Sequence, residues 1–330
     1  MENSGLSNTV IFALSSSKEL AGEVCDLLGL PLGRCTVNTF ADGEILVELG
    51  ESVRGKDVFF IQSTSKPVNQ HLMELLIGID ACKRASAASI NCVIPYYGYA
   101  RQDRKAKPRQ PITSKLVASM LEAAGATRVI TMDLHATQIQ GYFDIPADDI
   151  TTLPLVANYF MNKPEINADD IVVVSPDHGG TVRARRLAER LGVPVAIIDK
   201  RRPKPNVAVA MNLLGDVDGK VAVIIDDMVD TAGTLTSGVN MLYEKGAKEV
   251  YAACAHGILS GPAVDRLQNS RLTEFICTNT IDQSENRKNY PALKVLSVAP
   301  LIAATITAIV DKSSLSGALQ EAEQHVHVLG

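Results

Sequence analysis

The 330-residue chain is long enough for about two domains, and a hydrophobic share of 46% allows each a sizeable core. A formal net charge of -5 excludes the broad basic footprint of a nucleic-acid binder, and Gly, Pro and charge interrupt the most apolar windows, against a membrane-spanning class. The six cysteines form no close Cys-x-x-Cys pair and lie mostly in apolar runs, so they read as buried free thiols rather than a zinc site or disulfide frame. With no cationic start leading into a signal-like apolar core, a cytoplasmic location is expected.

Val10 to Leu14 reads as a buried strand, followed by a Ser-rich turn and a helix to about Leu28. A strand near Cys35 to Val37 leads into Phe40, Ala41, Asp42, Gly43 and Glu44, where a ring, two carboxylates and a glycine fall within five residues. On residue type alone this is a loop. Strands over 45–49 and 57–62 flank a polar turn at Glu51 to Gly55, Val68 to Arg84 has helical periodicity, and 89–94 ends as a strand at Pro95. Tyr96 to Arg109 then packs three aromatics and five Lys or Arg into fourteen residues. Such a segment binds nucleic acid or a single nucleotide by the same stacking and phosphate contacts, and the acidic balance of the chain favours the single nucleotide.

A helix over 112–124 leads to a strand over 128–132 that ends at Asp133, Leu134 and His135. A histidine there could ligate a divalent ion, face phosphate, or be a satisfied structural group. Gln138, Gln140 and Asp144 line the polar turn beyond it. The first boundary is placed at Asp148 to Ile150, giving domains over 1–149 and 150–300 and a C-terminal helix and tail over 301–330.

Leu153 to Met161 is helical, and Ile171 to Ser175 is a buried strand that ends at Pro176, Asp177, His178, Gly179, Gly180 and Thr181. An acid and a small anion-cradling loop thus follow the strand tip, with Arg183, Arg185 and Arg186 on the helix behind it. The strand over 195–198 runs into Asp199, Lys200, Arg201 and Arg202, cations that either form a solvated face or neutralise a polyphosphate. Residues 207–213 read as a short strand pair or flap.

The richest pattern is Val221 to Thr236, a β-branched strand ending in Asp226 and Asp227, then a small polar turn and a helix start at Leu235. Paired carboxylates suit sugar hydroxyls or a metal, and Asp230 to Thr234 supplies amides, hydroxyls and a glycine for a tight turn that suits phosphate. The bland alternative is a strand–turn–helix link with an N-cap. Strands over 249–255, 275–278 and 295–298 and a helix over 302–310 complete the chain, leaving a tail from Gln320 with little that requires order. This βα alternation predicts a mainly parallel sheet in each domain. Neither a Walker A nor a G-x-G-x-x-G motif occurs.

Val223 to Thr234 resembles the phosphoribosyl-pyrophosphate (PRPP) motif shared by type I phosphoribosyltransferases and ribose-phosphate pyrophosphokinases. Joined with Phe40 to Glu44, Tyr96 to Arg104, Asp133 to Gly141, Ser175 to Gly180 and Asp199 to Arg202, it makes residues 9–312 similar to the class I bacterial-like ribose-phosphate pyrophosphokinases (PRPP synthetases). The resemblance implies two tandem type I phosphoribosyltransferase-like α/β domains, each with a central mainly parallel sheet flanked by helices. It implies an ATP site from Phe40, Asp42, Glu44, Arg101, Gln102 and His135, partly supplied by a neighbouring subunit, with Mg²⁺ held near His135 and Asp177. Lys200 and Arg202 correspond to the family's catalytic cations. Asp226 and Asp227 correspond to the groups that hold ribose hydroxyls, and Asp230, Thr231, Ala232, Gly233 and Thr234 to the cradle of the 5-phosphate.

The implied reaction is Mg²⁺-dependent transfer of the β,γ-diphosphoryl group of ATP to ribose 5-phosphate, giving PRPP and AMP for nucleotide, histidine and tryptophan biosynthesis. The implied assembly is a homo-oligomer, a hexamer built from dimers. Ser52 and Arg54 resemble positions of a phosphate/ADP regulatory site, whereas Asp311 to Leu319 departs from the family's common tail and Thr137 departs inside the histidine motif. An ordinary phosphoribosyltransferase shares the Asp226 to Thr234 pattern but does not account for Phe40 to Glu44, Arg101, Gln102 or the Lys200 loop. A non-catalytic regulatory homologue is the other rival, opposed by the retention of His135, Asp177, Lys200, Arg202, Asp226 and Asp227.

Overall fold

A computed structural model describes residues 5–201, 210–324 and 326–329. The chain divides into two compact units. One comprises the described residues up to Thr151 with Thr280–Asp282 and Val298–Glu323; the other comprises Thr152–Asn279, Gln283–Ser297 and the described residues from Gln324.

In the first unit β1 (Thr9–Ala13), α1 (Lys18–Leu28), β2 (Cys35–Thr39), β3 (Ile45–Leu49), β4 (Asp57–Ile61), α2 (Val68–Arg84), β5 (Ser89–Ile94), α3 (Thr113–Ala124), β6 (Arg128–Met132) and β7 (Ala147–Ile150) follow in order. The sheet runs β1-β4-β5-β6-β7, and every neighbouring pair is parallel. Burial from both faces explains why β1 and β4 read as continuous apolar runs without alternation. β2 and β3 form a separate antiparallel hairpin with a mixed burial pattern. Asp148 and Asp149 pair with Ile130 and Thr131 on the edge strand β7, the last strand before the first unit gives way to the second at Thr152.

Inside this unit the fully buried Glu74 accepts hydrogen bonds from Ser15 N–H (3.2 Å), Gln62 Nε2 (3.0 Å) and Gln70 Nε2 (3.2 Å). Three donors offset the desolvation of a carboxylate that would otherwise be costly to bury. They tie α2 to the segments leaving β1 and β4.

The second unit contains α4 (Leu153–Met161), β8 (Ile171–Ser175), α5 (Thr181–Leu191), β9 (Val195–Arg201), β10 (Ala210–Leu214), β11 (Val221–Val229), α6 (Gly233–Glu244), β12 (Glu249–Gly257), α7 (Ala263–Gln268), β13 (Glu274–Thr278), α8 (Ser284–Asn289) and β14 (Leu293–Leu296). β15 (Val328–Leu329) completes the sheet order β10-β9-β8-β11-β12-β13-β14-β15, antiparallel only at its two margins among the described residues. Because β9, β8, β11 and β12 are mutually parallel neighbours, all four end at one edge of the sheet.

α9 (Ala299–Val310) and α10 (Leu315–Ala322) return to the first unit, α9 against α1 and α10 against α9. The tail is therefore more ordered than expected. Ser314 Oγ caps α10 by accepting from Gly317 N–H at 3.4 Å, and β15 pairs Leu329 with Val295. All six cysteines are free thiols, and five are buried. Among the described residues no helix is long and apolar enough to cross a membrane.

Candidate active site

β11 lies near the middle of the second sheet, and Val221 to Ile225 are buried on it. Asp226 and Asp227, read from sequence as the end of the strand, are followed by two further strand residues, because two neighbours of β11 end at different heights. Pairing with β8 stops at Ile224, whereas pairing with β12 continues through Asp226, Met228 and Val229. The acids thus occupy the stretch where one flank of β11 has lost its partner strand.

Arg183, in the first turn of α5, fills part of that flank, with Nη1 at 3.7 Å from Asp226 Oδ1 and 3.5 Å from Asp227 Oδ1. Asp227 is buried, and its N–H donates to Asp226 Oδ1 at 2.9 Å. Burial, then the hydrogen bond and charge of Asp227, push the Asp226 carboxyl up to about 7, while Arg183 opposes the shift. The two carboxylates behave as one site that retains a proton well above the usual carboxylate range.

The following loop is held from one side. Ile258 and Leu259 donate their N–H groups to Val229 C=O at 2.9 and 3.1 Å, and Ser260 N–H donates to Asp230 C=O at 2.9 Å. Ala232 caps α6 in the left-handed region at φ 58°, a conformation costly for a residue with a Cβ. The expectation that Gly233 makes this turn is therefore corrected: Gly233 is the first helical residue and has no positive φ. Its missing Cβ serves close approach instead, since a Cβ there would lie 3.2 Å from Arg266 Nη1. Thr231 and Thr234 are exposed beside the amides that open α6, an arrangement whose donors and positive helix end suit an anion.

β8 and β9 end at the same edge. After β8, Ser175 Oγ donates to Asp177 C=O at 2.6 Å, and Gly180 N–H donates to Asp177 Oδ1 at 3.0 Å. This turn leaves Asp177 exposed, and the next residue, His178, places Nε2 3.0 Å from Asp199 Oδ1 on β9. Lys200 is the penultimate residue of β9, opposite Met211 on β10. Arg202 lies outside the described residues.

In the first unit Arg101 and Gln102 lie on the segment after β5, and His135 on the segment after β6. Those strands are parallel neighbours, so topology brings the two segments to one edge. A buried Asp103 joins them: its Oδ2 accepts from Gln138 Nε2 at 3.0 Å, and its C=O accepts from Tyr142 Oη–H. Gln102 Oε1 accepts from Thr113 Oγ1 at 2.5 Å. Phe40, Asp42 and Glu44 form the closed tip of the β2–β3 hairpin, where Phe40 is 53% exposed and Phe40 N–H donates to Glu44 C=O at 2.8 Å. Ser52 and Arg54 are exposed in the β3–β4 connection, and Arg54 Nη1 donates to Ser86 Oγ at 3.2 Å.

The arm carrying Arg101 depends on Gly98. Its N–H donates to Thr64 Oγ1 at 2.7 Å, and a Cβ at this position would stand 2.5 Å from the Thr64 carbonyl oxygen, which is backbone and cannot swing aside. Gly98→Ala is expected to destabilise the protein by about 1–3 kcal/mol through overpacking. Urea unfolding of the two proteins measures this, and equal midpoints and slopes would show that the arm accommodates the methyl group.

Among the described residues no group of three or more His, Cys, Asp or Glu side chains forms a metal cage. Mg²⁺ takes oxygen ligands, keeps several waters, and is commonly held by one or two carboxylates with substrate phosphates. The exposed Asp177 beside an anion-binding edge fits that donor chemistry.

Residues 9–125 match the family model of the N-terminal domain of ribose phosphate pyrophosphokinase, and residues 201–320 match that of the phosphoribosyl synthetase-associated domain. The ribose-phosphate pyrophosphokinase of Bacillus caldolyticus is 60% identical over 306 residues, which cover 93% of this chain and 96% of the relative. That of Halalkalibacterium halodurans is 58% identical over 316 residues, covering 96% and 99%. The crystal structure of phosphoribosylpyrophosphate synthetase from Mycobacterium smegmatis is similar with a TM-score of 0.87 at 45% identity, covering 93% of this chain and all of that one.

Proposed function

The chain belongs to the ribose-phosphate pyrophosphokinase family, and we propose that it transfers the β,γ-diphosphoryl group of ATP to the C1 hydroxyl of D-ribose 5-phosphate, releasing AMP and PRPP. The observation that carries this reading is the edge of the second sheet, where paired acids on β11 precede an amide cradle at the start of α6. A sugar phosphate has that shape: hydroxyls at one end and a dianion at the other.

Asp226 and Asp227 accept hydrogen bonds from the ribose hydroxyls, and the amides and hydroxyls of Asp230 to Thr234 hold the 5-phosphate. The sugar is thereby fixed at both ends, which leaves its anomeric hydroxyl oriented for in-line attack on the β-phosphorus. The nucleophile belongs to the substrate, so no covalent protein intermediate is needed. Charge accumulates on the transferring group and on departing AMP, where Lys200 and Arg202 meet it. Arg101, Gln102 and His135 bind the ATP, together with Phe40, Asp42 and Glu44. Because the last three sit on a projecting hairpin, a neighbouring subunit's hairpin is the natural supplier of the base contacts, in a hexamer built from dimers.

Mg²⁺, when bound by Asp177 and His135 with substrate phosphates and water, supplies neutralisation of the donor's charge. In this reading residues 1–149 contribute the ATP site, 150–300 the ribose 5-phosphate site, and 301–330 an accessory helix and tail. Ser52 and Arg54 are assigned to an effector site for phosphate or ADP.

Incubation with ATP, ribose 5-phosphate and Mg²⁺, followed by chromatography, is expected to yield AMP and PRPP in equal amounts. Pyrophosphate release that needs a nucleobase, without AMP, would assign the chain to the phosphoribosyltransferases instead. No AMP, combined with altered activity of an added related enzyme, would make it a regulatory homologue.

A further inference from the structure

The backbone of the segment after β12 holds the phosphate loop from one side, and a side chain from the helix beyond it adds a further contact. Arg266, on the short α7, donates from Nη1 to the Thr231 carbonyl at 2.8 Å, and the same nitrogen lies 3.2 Å from the place a Cβ on Gly233 would take, with Cζ at 3.7 Å. The guanidinium therefore spans both sides of Ala232.

α7 is fixed in place for this task. Ala263 and Leu267 are buried in the core, and the preceding residue Ser260 already grips the loop through Asp230 C=O. Arg266 sits one position before Leu267, so it is carried on a rigid element although its side chain is exposed. A trans peptide holds its C=O and N–H in one plane and pointing opposite ways. Drawing the Thr231 carbonyl onto Arg266 consequently turns the Ala232 N–H away from Arg266. The same pull adds to the burial of Ala232 and to the Thr236 N–H bond on its C=O (3.0 Å) in keeping it in its left-handed conformation at φ 58°.

We propose that Arg266 is a positioning residue for ribose 5-phosphate: it latches the Thr231–Ala232 peptide so that the loop amides stay aimed at the 5-phosphate. Gly233 is its counterpart, since a Cβ there would stand 3.2 Å from Arg266 Nη1 and displace the guanidinium by a few tenths of an ångström. Arg266 supplies cationic charge behind the cradle without touching the substrate. This inference rests on the ribose 5-phosphate reading of the loop.

The test uses the full-length protein and two readouts, steady-state kinetics with both substrates and calorimetric titration with ribose 5-phosphate alone. Arg266→Ala is expected to raise the KM and the Kd for ribose 5-phosphate about tenfold or more, leaving the ATP KM within about twofold and the melting temperature unchanged. Arg266→Lys keeps one donor and the charge but not the planar cover, and falls between. Ala232→Gly, which removes the strain the latch opposes, is expected to recover part of the loss in the Arg266→Ala background. Gly233→Ala should weaken binding measurably in the wild type and less once Arg266 is gone, because the steric partner is then absent. An unchanged Kd in Arg266→Ala, equal rises in both KM values, or strictly additive effects with Gly233→Ala would each overturn the latch. Failure of the wild type to form AMP while still binding ribose 5-phosphate would sink the catalytic reading and leave the calorimetric test of Arg266 intact; failure to bind the sugar phosphate at all would overturn both.

Discussion

Replacing Lys200 with alanine is expected to lower kcat about a hundredfold while leaving the melting temperature within a degree or two of the wild type. The size follows from the charge that builds on the transferring diphosphoryl group and the departing AMP. A single preorganised donor aimed at such charge contributes on the order of 3 kcal/mol, close to a factor of a hundred in rate. The small effect on stability follows from the backbone. Lys200 is held in β9 by main-chain pairing across from Met211 on β10, and those bonds do not depend on the side chain. Its strand ends at the same sheet edge as the Asp177 loop and the acids of β11, so the position is suited to catalysis whatever its part in folding. Lys200→Arg should recover only part of the rate, because a planar fork replaces a compact ammonium. Parallel losses of kcat and thermal stability in Lys200→Ala would instead make this lysine part of the scaffold.

How far the sequence speaks for the site depends on the range of the interaction involved. The long apolar runs at β4, β8 and β11 announce parallel strands because burial on both faces leaves no alternation to disguise them. The small-residue turns after β8 and β11 are legible as turns suited to an anion because their chemistry is contiguous. Where the acids of β11 stand relative to the strand end is not local information: it depends on β8 stopping at Ser175 while β12 continues to Gly257. The same holds for the turn at Ala232. A glycine next to it draws the eye as the flexible residue, and only the position of Arg266 shows that the glycine answers a contact from thirty-three residues further on. Arg183 is visible near a motif as one of three arginines, but nothing in its spacing singles it out as the one facing both acids. Arg266 carries no motif at all. In the tail, α10 carries Gln320 to Ala322 into a helix, which becomes visible only once α9 provides a surface to pack on.

The acid pair leads to the other large effect, one in which activity and stability should move in opposite directions. The folded state holds a proton on Asp226 up to about 7, well above the carboxyl's ordinary value of 3.8, because the group is buried beside Asp227. Between those values the folded protein binds a proton that the unfolded chain has released, so stability declines as pH rises through that window and levels off above it. Asp226→Asn removes the titration. Its melting temperature is expected to equal or exceed that of the wild type at pH 8, with the advantage shrinking toward pH 5. Activity goes the other way, since a neutral amide replaces a charge-assisted acceptor for a ribose hydroxyl. Losing such a bond costs about 1.5–3 kcal/mol, or roughly ten- to a hundredfold in kcat/KM for ribose 5-phosphate. In the wild type the KM for ribose 5-phosphate should fall between pH 6 and 8 as the pair loses its shared proton. The sugar phosphate also titrates near the lower end of that range, but the substrate contributes equally to both proteins. A pH profile of KM that persists unchanged in Asp226→Asn would therefore trace the effect to the substrate, and a variant less stable than the wild type at pH 8 would mean that Arg183 outweighs the repulsion between the acids.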